Sequence, residues 1–421
     1  MSKAAPIYDY DALIIGGGIV GLTMALASAH YGIKTALIDR NDFSKPSRDG
    51  RAYALSQSSL NLFDHLGVEA LRASAEPMVD MKVEEAKRGQ APSTFKLSFA
   101  ADKLVEKSSD DLEGDLSGEQ SAPLAFMLEA KILTSALQDR IKKTSNITVM
   151  SKTTATSLKQ TTGYAEITLG DGQTLRAPLV IAADGGPSRI RQWAGIGVRR
   201  EAYDQSVVVA NVQFEKPHGG VSRQIFYHGQ PFALLPMTGN RAQIPWFDRH
   251  AAIKAALALS EEDFVDEISR RFLGDYGKIS LLSPRYSYPV ALQVADNYTA
   301  QRVALIGDAA HQISPLIGQG LNLGLRDAAS LAAVLHEARQ TGQDFGGPIL
   351  SDYASWRGVD GRTLAITTDM LTKLYGIKRG PIAHLRRLGV RAVNKNPALK
   401  SFLALEATGT TGDIPPLLRP L

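Results

Sequence analysis

The chain has 421 residues, of which 44% are hydrophobic and 21% are charged, and this composition excludes disordered, collagen-like and disulfide-rich proteins. It contains no cysteine, so disulfides, thiolate nucleophiles and cysteine metal sites are excluded as well. The formal net charge of +4 is too small to indicate a nucleic-acid partner. No apolar run reaches the roughly 18 residues of a membrane span. We therefore expect neither a signal peptide nor a transmembrane helix.

The segment "YDYDALIIGGGIVGLTMALASAHYGIKTALIDR" predicts a strand, a glycine turn, a helix and a second strand. Gly16 permits the tight turn, Gly18 lets a pyrophosphate approach the backbone, and Gly21 lets the helix pack closely on the strand. Asp39 ends the second strand, where it can accept hydrogen bonds from a ribose. The pattern predicts a dinucleotide site, which is found both in nicotinamide dehydrogenases and in flavoproteins.

The middle of the chain has the alternating pattern and turn residues of a β-rich region. A meander is predicted over 147–184, further strands over 207–247, and helices over 128–143 and 253–273. The acidic segment 102–121 is predicted to be an exposed loop or an edge hairpin.

A second glycine motif follows a buried strand in "LVIAADGGPSRIRQWAGI". The strand ends at Asp184, and Ser188 and Arg191 stand where a helix begins. An acid and a serine at this position can cap the helix, which is the ordinary structural interpretation.

The third motif, "GDAAHQISPLIGQGLNLGLRDAASL", follows a strand that begins at Arg302. Ordering glycine-rich backbone costs more entropy than ordering other residues, so the motif predicts a ligand packed against it. The helix that begins near Gly320 directs its positive dipole end toward that ligand. His311 is either a general base or a packed structural histidine. The other histidines lack metal-ligand spacing, so no metal site is expected.

Together the three motifs resemble those of the FAD-dependent aromatic hydroxylases, and with "DGRAYALSQSS" and the tail over 386–409 they are most similar to the ubiquinone-biosynthesis hydroxylases. The resemblance implies an α/β, p-hydroxybenzoate-hydroxylase-like fold. In it, a discontinuous Rossmann-like FAD-binding domain carries an inserted β-sheet substrate domain and a helical C-terminal region. We expect the FAD-binding domain over 1–75, 122–200 and 285–345, the substrate domain over 76–121 and 201–284, and the helical region over 346–421.

The same resemblance assigns contacts with the cofactor to Gly16, Gly18, Gly21, Asp39, Arg40, Arg51, Asp184, Gly307, Asp308, Pro315, Gly318, Gly320, Leu321 and Asn322. Asp39 would bind the adenosine ribose and Arg51 the cofactor phosphates. Asp184 would lie near the pyrophosphate path, and Asp308 would bind the ribityl chain. Backbone from Pro315 to Asn322 would follow the isoalloxazine ring.

The implied reaction is hydroxylation of an electron-rich ring of a polyprenylated phenol, with NAD(P)H and O2 as co-substrates, through a C4a-hydroperoxyflavin on tightly, non-covalently bound FAD. Two alternatives share these motifs: a hydroxylase of a small soluble aromatic acid, and a non-enzymatic escort factor for prenylated proteins. A soluble acid needs a cationic anchor, whereas a prenylated phenol needs an apolar channel.

A basic and apolar segment over 373–400 contains eight lysines and arginines and no acidic residue. It is either a solvated helical face or a surface for anionic lipid. We expect a cytoplasmic protein with peripheral contact at the inner face of the membrane through this segment, and assembly in a ubiquinone-biosynthesis complex is compatible with it.

Overall fold

The structure, a computed structural model, describes residues 8–47, 49–86, 96–98, 123–227, 229–315, 318–376 and 413–421. The predicted acidic loop over 102–121 and the tail over 386–409 lie outside the described residues. The basic segment over 373–400 also lies outside them, apart from the backbone of its first four residues.

The strands of the described residues are β1 (Ala12–Ile15), β2 (Thr35–Ile38), β3 (Ala52–Leu55), β4 (Glu76–Met78), β5 (Asp80–Ala86), β6 (Lys96–Ser98), β7 (Ala125–Glu129), β8 (Ile147–Met150), β9 (Ala155–Gln160), β10 (Ala165–Leu169), β11 (Thr174–Ala177), β12 (Leu179–Ala182), β13 (Val198–Phe214), β14 (Val221–Tyr227), β15 (Gln230–Met237), β16 (Arg241–Asp248), β17 (Ile279–Leu281), β18 (Tyr286–Ala295), β19 (Thr299–Ala300), β20 (Val303–Leu305) and β21 (His311–Gln312).

The α-helices of the same residues are α1 (Ile19–His30), α2 (Gln57–His65), α3 (Ala130–Lys142), α4 (Arg189–Trp193), α5 (His250–Ala258), α6 (Glu261–Arg271), α7 (Gly320–Thr341) and α8 (Leu350–Gly376). Short 3-10 turns occupy Glu69–Ser74, Gly307–Ala309 and Pro416–Leu418.

A six-stranded sheet in the order β19-β20-β12-β1-β2-β8 forms the first layer. All its strands except the short β19 run parallel, and β1 pairs in register with both β12 and β2. The residues of β1, β2 and β12 are all buried, as expected for a parallel sheet covered on both faces. Helix α1 packs on α3 and α7, and the three helices share one apolar core with the sheet.

A nine-stranded, largely antiparallel sheet forms the second region, and β13 is its longest strand. Helices α5 and α6 contribute to an aromatic-rich core with alternate residues of β13, such as Val208 and Phe214. The intervening residues Val207 and Val209 point to the other face, where they form a small apolar cluster with Phe247 and Val290. This separation of two cores agrees with the predicted α/β fold with a β-rich insertion.

Two predicted groupings of strands differ from the structure. The predicted meander over 147–184 is divided, because β8 and β12 join the parallel sheet and β9 to β11 form a separate three-stranded antiparallel sheet. Strand β18 pairs with β13 in the nine-stranded sheet, so its residues, which we placed with the FAD-binding domain, lie in the β-rich sheet instead. Both segments have strand periodicity, but periodicity does not specify which sheet a strand joins.

The described parts of the C-terminal region pack on the parallel-sheet core. Tyr353 of α8 is buried and donates a hydrogen bond from its hydroxyl to the Leu305 carbonyl at 2.7 Å. The last described residues return to α2, where Leu417 and Leu418 are buried in the same core. Asn61 fixes this end of the chain by donating to the Leu418 carbonyl at 3.1 Å.

Candidate functional site

The three glycine motifs meet at one edge of the parallel sheet. Gly16 directly follows β1, Asp39 follows β2, Asp184 lies two residues after β12, and Gly307 lies two residues after β20. Because these four strands are parallel, their carboxyl ends lie side by side. This is the edge at which open α/β sheets bind their ligands.

Contacts around the first glycine turn separate the glycines into two kinds. A Cβ at Gly16 would lie 2.2 Å from the Ala183 carbonyl oxygen, and one at Gly21 would lie 1.9 Å from the Gly16 carbonyl oxygen. Contacts within the protein therefore leave no room for a side chain at Gly16 or Gly21. A Cβ at Gly18 would meet no described atom within 4 Å, so the backbone there faces open space.

Asp39 is oriented by backbone groups on both sides. One carboxylate oxygen accepts from the Gly17 N–H at 2.5 Å, and the other accepts from the Asn41 N–H at 2.6 Å. Its side chain is thereby held against the glycine turn. Arg40, the next residue, is exposed.

Asp184 and Ser188 both cap helix α4, as the structural interpretation predicts. Oδ2 of Asp184 accepts from the N–H groups of Arg189 at 2.8 Å and Ile190 at 3.2 Å, and Ser188 accepts from the Arg191 N–H at 3.0 Å. The other oxygen of Asp184, Oδ1, is buried and has no partner among the described residues. Oδ1 of Asp184, at the edge of the sheet, can therefore accept a hydrogen bond from a ligand.

Arg191 joins the second motif to the third. Its buried guanidinium donates to the Ala309 carbonyl at 2.7 Å and to the Gly186 carbonyl at 2.9 Å. This clamp fixes the distance between the two turns.

The third motif begins with Gly307 at φ +59° and continues through half-buried Pro315 to Gly318 at φ +66°. Helix α7 then begins at Gly320, and no side chain caps its N-terminus. Gly320 and Leu321 are half-buried in its first turn. The first N–H groups of a helix need partners, and an anionic or carbonyl-bearing ligand can supply them.

Asn322 has a structural side chain. Its Oδ1 accepts from the Ser56 N–H at 3.0 Å and the Ser59 hydroxyl at 2.9 Å, while its Nδ2 donates to the Ala54 carbonyl at 2.9 Å. The start of α7 is therefore attached to the segment that joins β3 and α2.

His311 is buried behind the turn. Its Nε2 lies 2.5 Å from Oδ2 of Asp327, and Oδ1 of Asp327 accepts from Nε of Arg357 at 2.9 Å. Burial alone would raise the pKa of Asp327, but His311 and Arg357 lower it, so the carboxylate is ionised. This geometry favours the structural interpretation of His311.

The exposure and the electrostatics of Asp308 together indicate that it lies in an open cleft beside the turn. The residue is exposed, yet the surrounding protein raises the pKa of its carboxyl group, a combination expected for an acid inside an open cleft. Arg51 lies within electrostatic reach of Asp308 and forms a bidentate ion pair with Asp49. Burial raises the pKa of Tyr53, whose ring lies 5.4 Å from the Arg51 guanidinium, and of Tyr288, which also interacts with Arg51.

These features fit a flavin dinucleotide. The backbone at Gly18 has room for a phosphate, helices α1 and α7 both begin without a side-chain cap, and Asp184 retains a buried unpartnered oxygen. An uncapped helix N-terminus favours negative charge. Among the described residues no cluster of histidine and acidic groups is arranged to hold a metal ion.

Residues 9–350 match the family described as the FAD binding domain. Ubiquinone hydroxylase UbiL of Rhodospirillum rubrum is 36% identical over 415 residues, which cover 97% of this chain and 92% of that protein. The chain belongs to the FAD-binding ubiquinone hydroxylase family. A further relative is 3-demethoxyubiquinol 3-hydroxylase of Escherichia coli, 31% identical, with 93% of this chain and 96% of that protein covered. The solved structure of p-nitrophenol 4-monooxygenase PnpA from Pseudomonas putida DLL-E4 has the same fold, with a TM-score of 0.74, 20% identity and coverage of 96% and 99%.

Four residues at or behind the site were missed by the sequence interpretation: Asp49, Tyr53, Tyr288 and Asp327. Asp49 and Tyr53 flank Arg51 in "DGRAY", and Asp327 follows the glycines in "GLRDA". Proximity to named site residues is the signal that could have identified these three. Tyr288 lies on β18, more than 200 residues from Arg51, and its sequence context carries no such signal.

Proposed function

We propose that this protein is an FAD-dependent monooxygenase that hydroxylates the ring of a polyprenylated phenol in ubiquinone biosynthesis, using NAD(P)H and O2. The observation that carries the proposal is the meeting of the three motifs at one sheet edge, in a chain that matches ubiquinone hydroxylases along nearly its full length. Bound FAD would supply the redox chemistry, in which O2 is reduced and one of its atoms is transferred to the ring.

In this proposal the chain binds FAD through backbone and carboxylate groups. Gly16, Gly18 and Gly21 would form the pyrophosphate turn, Asp39 would bind the adenosine ribose, and Asp308 would bind the ribityl chain. The positive end of α7 would stabilise negative charge on the reduced ring by about 0.3–1 kcal/mol, or up to about 2 kcal/mol if sheltered.

The remaining assigned residues belong to the same proposal. Arg40 and Arg51 would approach the phosphates, Asp184 would lie beside the pyrophosphate path, and Gly307 would shape the turn before Asp308. Backbone at Pro315, Gly318, Gly320, Leu321 and Asn322 would follow the ring.

The charges of the cleft support a phenol rather than a soluble aromatic acid as substrate. Arg51, the cation that interacts with Asp308, is already neutralised by Asp49 at 2.7 Å. A paired guanidinium is a weaker anchor for a substrate carboxylate than a free one. Tyr288 packs against the apolar cluster of Val207, Val209, Phe247 and Val290, which supports an apolar wall beside the cleft.

We further propose peripheral contact with the inner face of the membrane through residues 373–400. No helix of the described residues is long and apolar enough to span a membrane. The sequence of 373–400 supports surface contact, and so do Ile366 and Met370, which lie one turn apart on α8 and are 60% and 65% exposed. Flotation with anionic liposomes tests this: deletion of 377–400 should abolish flotation, and unchanged vesicle binding would refute the contact. Assembly with other enzymes of ubiquinone biosynthesis would be tested by co-purification from the host.

Deletion of the gene in its host tests the proposed pathway. We expect accumulation of a prenylated quinone precursor that lacks one ring oxygen, identified by mass spectrometry. A normal quinone pool would contradict the proposal. Bound FAD separates the enzyme from the escort alternative, because an escort protein would purify colourless and would not take up the flavin.

A further inference from the structure

Arg357 is a buried arginine on helix α8, beyond the end of the FAD binding domain match at residue 350. It is 1% exposed, and its Nε donates to Oδ1 of Asp327 at 2.9 Å. Its Nη1 donates to the half-exposed Asp360 at 2.6 Å, one turn along the same helix. Helix α8 therefore supplies an arginine that pairs with a carboxylate in the interior of the FAD-binding region.

The other oxygen of Asp327 holds the turn of the third motif. Oδ2 accepts from the Gly307 N–H at 3.0 Å and lies 2.5 Å from Nε2 of His311. Gly307 and His311 flank Asp308, the exposed acid that faces the cleft. One fully buried carboxylate thus links Arg357 to both sides of the residue that is placed to meet the ligand.

We propose that Arg357 is a positioning residue for FAD: by fixing Asp327, it holds the Gly307–His311 turn and so the orientation of Asp308. A buried carboxylate is stable only when it is paired and hydrogen-bonded. Without Arg357, Asp327 loses its arginine partner, and it must rotate, hydrate or take up a proton. Each of these changes disturbs the acceptor of the Gly307 N–H and therefore the turn.

This inference rests on FAD as the cofactor and is independent of the aromatic substrate. Arg302, in the turn between β19 and β20, provides a control. It is also a buried arginine, paired with Asp344 at 2.5 Å and hydrogen-bonded to the Pro178 carbonyl at 3.0 Å. It precedes β20, however, and so lies at the edge of the sheet opposite to Gly307.

The test measures the FAD dissociation constant of apoprotein by quenching of flavin fluorescence, together with the thermal unfolding midpoint. We expect both Arg357→Met and Arg302→Met to lower the unfolding midpoint of the apoprotein, Arg357→Met by more because Asp327 is fully buried whereas the side chain of Asp344 is 44% exposed. Arg357→Met should also weaken FAD binding by about tenfold or more. Arg302→Met should leave FAD binding within about twofold of the wild type.

Two further variants keep the test decisive if Arg357→Met folds poorly. Arg357→Lys retains the charge and should recover part of the FAD affinity. The pair Arg357→Met with Asp327→Asn removes both charges and should bind FAD more tightly than Arg357→Met alone, since no unpaired carboxylate remains. Equal effects of the Arg357 and Arg302 variants on FAD affinity would overturn the proposal. A wild-type protein that binds FAD but hydroxylates no prenylated phenol would overturn the proposed function and leave this inference intact.

Discussion

His311 and Asp327 form a fully buried pair in which Nε2 and Oδ2 are 2.5 Å apart. The imidazole therefore lies behind the glycine turn, hydrogen-bonded to Asp327 of helix α7, whereas Asp308 faces the cleft. A histidine in this position orients backbone, and its side chain is 0% exposed.

Replacing His311 with glutamine tests this role. Glutamine retains an N–H that can donate to Asp327 and has no titratable nitrogen. We expect the pH profile of hydroxylation to be unchanged and the free energy of unfolding to fall by about 1–2 kcal/mol. Loss of one limb of the pH profile would instead identify His311 as a general base.

The glycines of the first turn should respond differently to alanine. Gly18→Ala meets no described atom within 4 Å, so apoprotein stability should change by less than about 0.5 kcal/mol while FAD binding weakens at least about tenfold. Gly21→Ala, which places a Cβ 1.9 Å from the Gly16 carbonyl oxygen, should destabilise the apoprotein by about 1–3 kcal/mol or more. Unaltered FAD binding in Gly18→Ala would mean that no phosphate approaches this backbone.

Asp308→Asn should stabilise the apoprotein and weaken flavin binding. Since the folded-state pKa of Asp308 is raised above its unfolded value, folding favours the protonated acid. The free energy of unfolding of the apoprotein therefore falls as pH rises through the folded-state pKa of Asp308, where the acid becomes ionised. This loss is absent below the unfolded-state pKa, which is near 4. Unfolding midpoints of wild-type and Asp308→Asn apoprotein should differ near neutral pH and converge as pH falls. A variant less stable than wild type at neutral pH would contradict this sign.

The leucines at positions 418 and 421 test whether the last described residues stabilise the parallel-sheet core. Leu418 is 2% exposed and packs in the parallel-sheet core, whereas Leu421 is 85% exposed. Leu418→Ala should lower the free energy of unfolding by about 2–5 kcal/mol, measured by urea denaturation. Leu421→Ala, the matched control, should change it by less than about 0.5 kcal/mol. Equal stability of the two variants would show that Leu418 does not contribute to the core.

Local pattern was sufficient to predict the strand, turn and helix at residues 12–38 and the helix that starts at Gly320, because their glycines and apolar runs are contiguous. It did not divide the predicted meander between two sheets, and it did not pair β18 with β13, since partner choice depends on contacts between distant strands. The cluster of His311, Asp327 and Arg357 was not predicted for the same reason, because the three residues lie on three different elements. The sequence also does not distinguish a buried charged residue from an exposed one. Capping by Asp184 was predictable because cap and helix are adjacent.

The most direct test of the proposed function is the fate of molecular oxygen. Purified holoprotein would be incubated with NAD(P)H, a prenylated phenol precursor and ¹⁸O2, and the product analysed by mass spectrometry. We predict a ring hydroxyl that carries a single labelled oxygen atom, formed only when FAD is bound. Oxidation of NAD(P)H with reduction of ¹⁸O2 only to labelled hydrogen peroxide, and with the phenol unchanged, would contradict the proposed function.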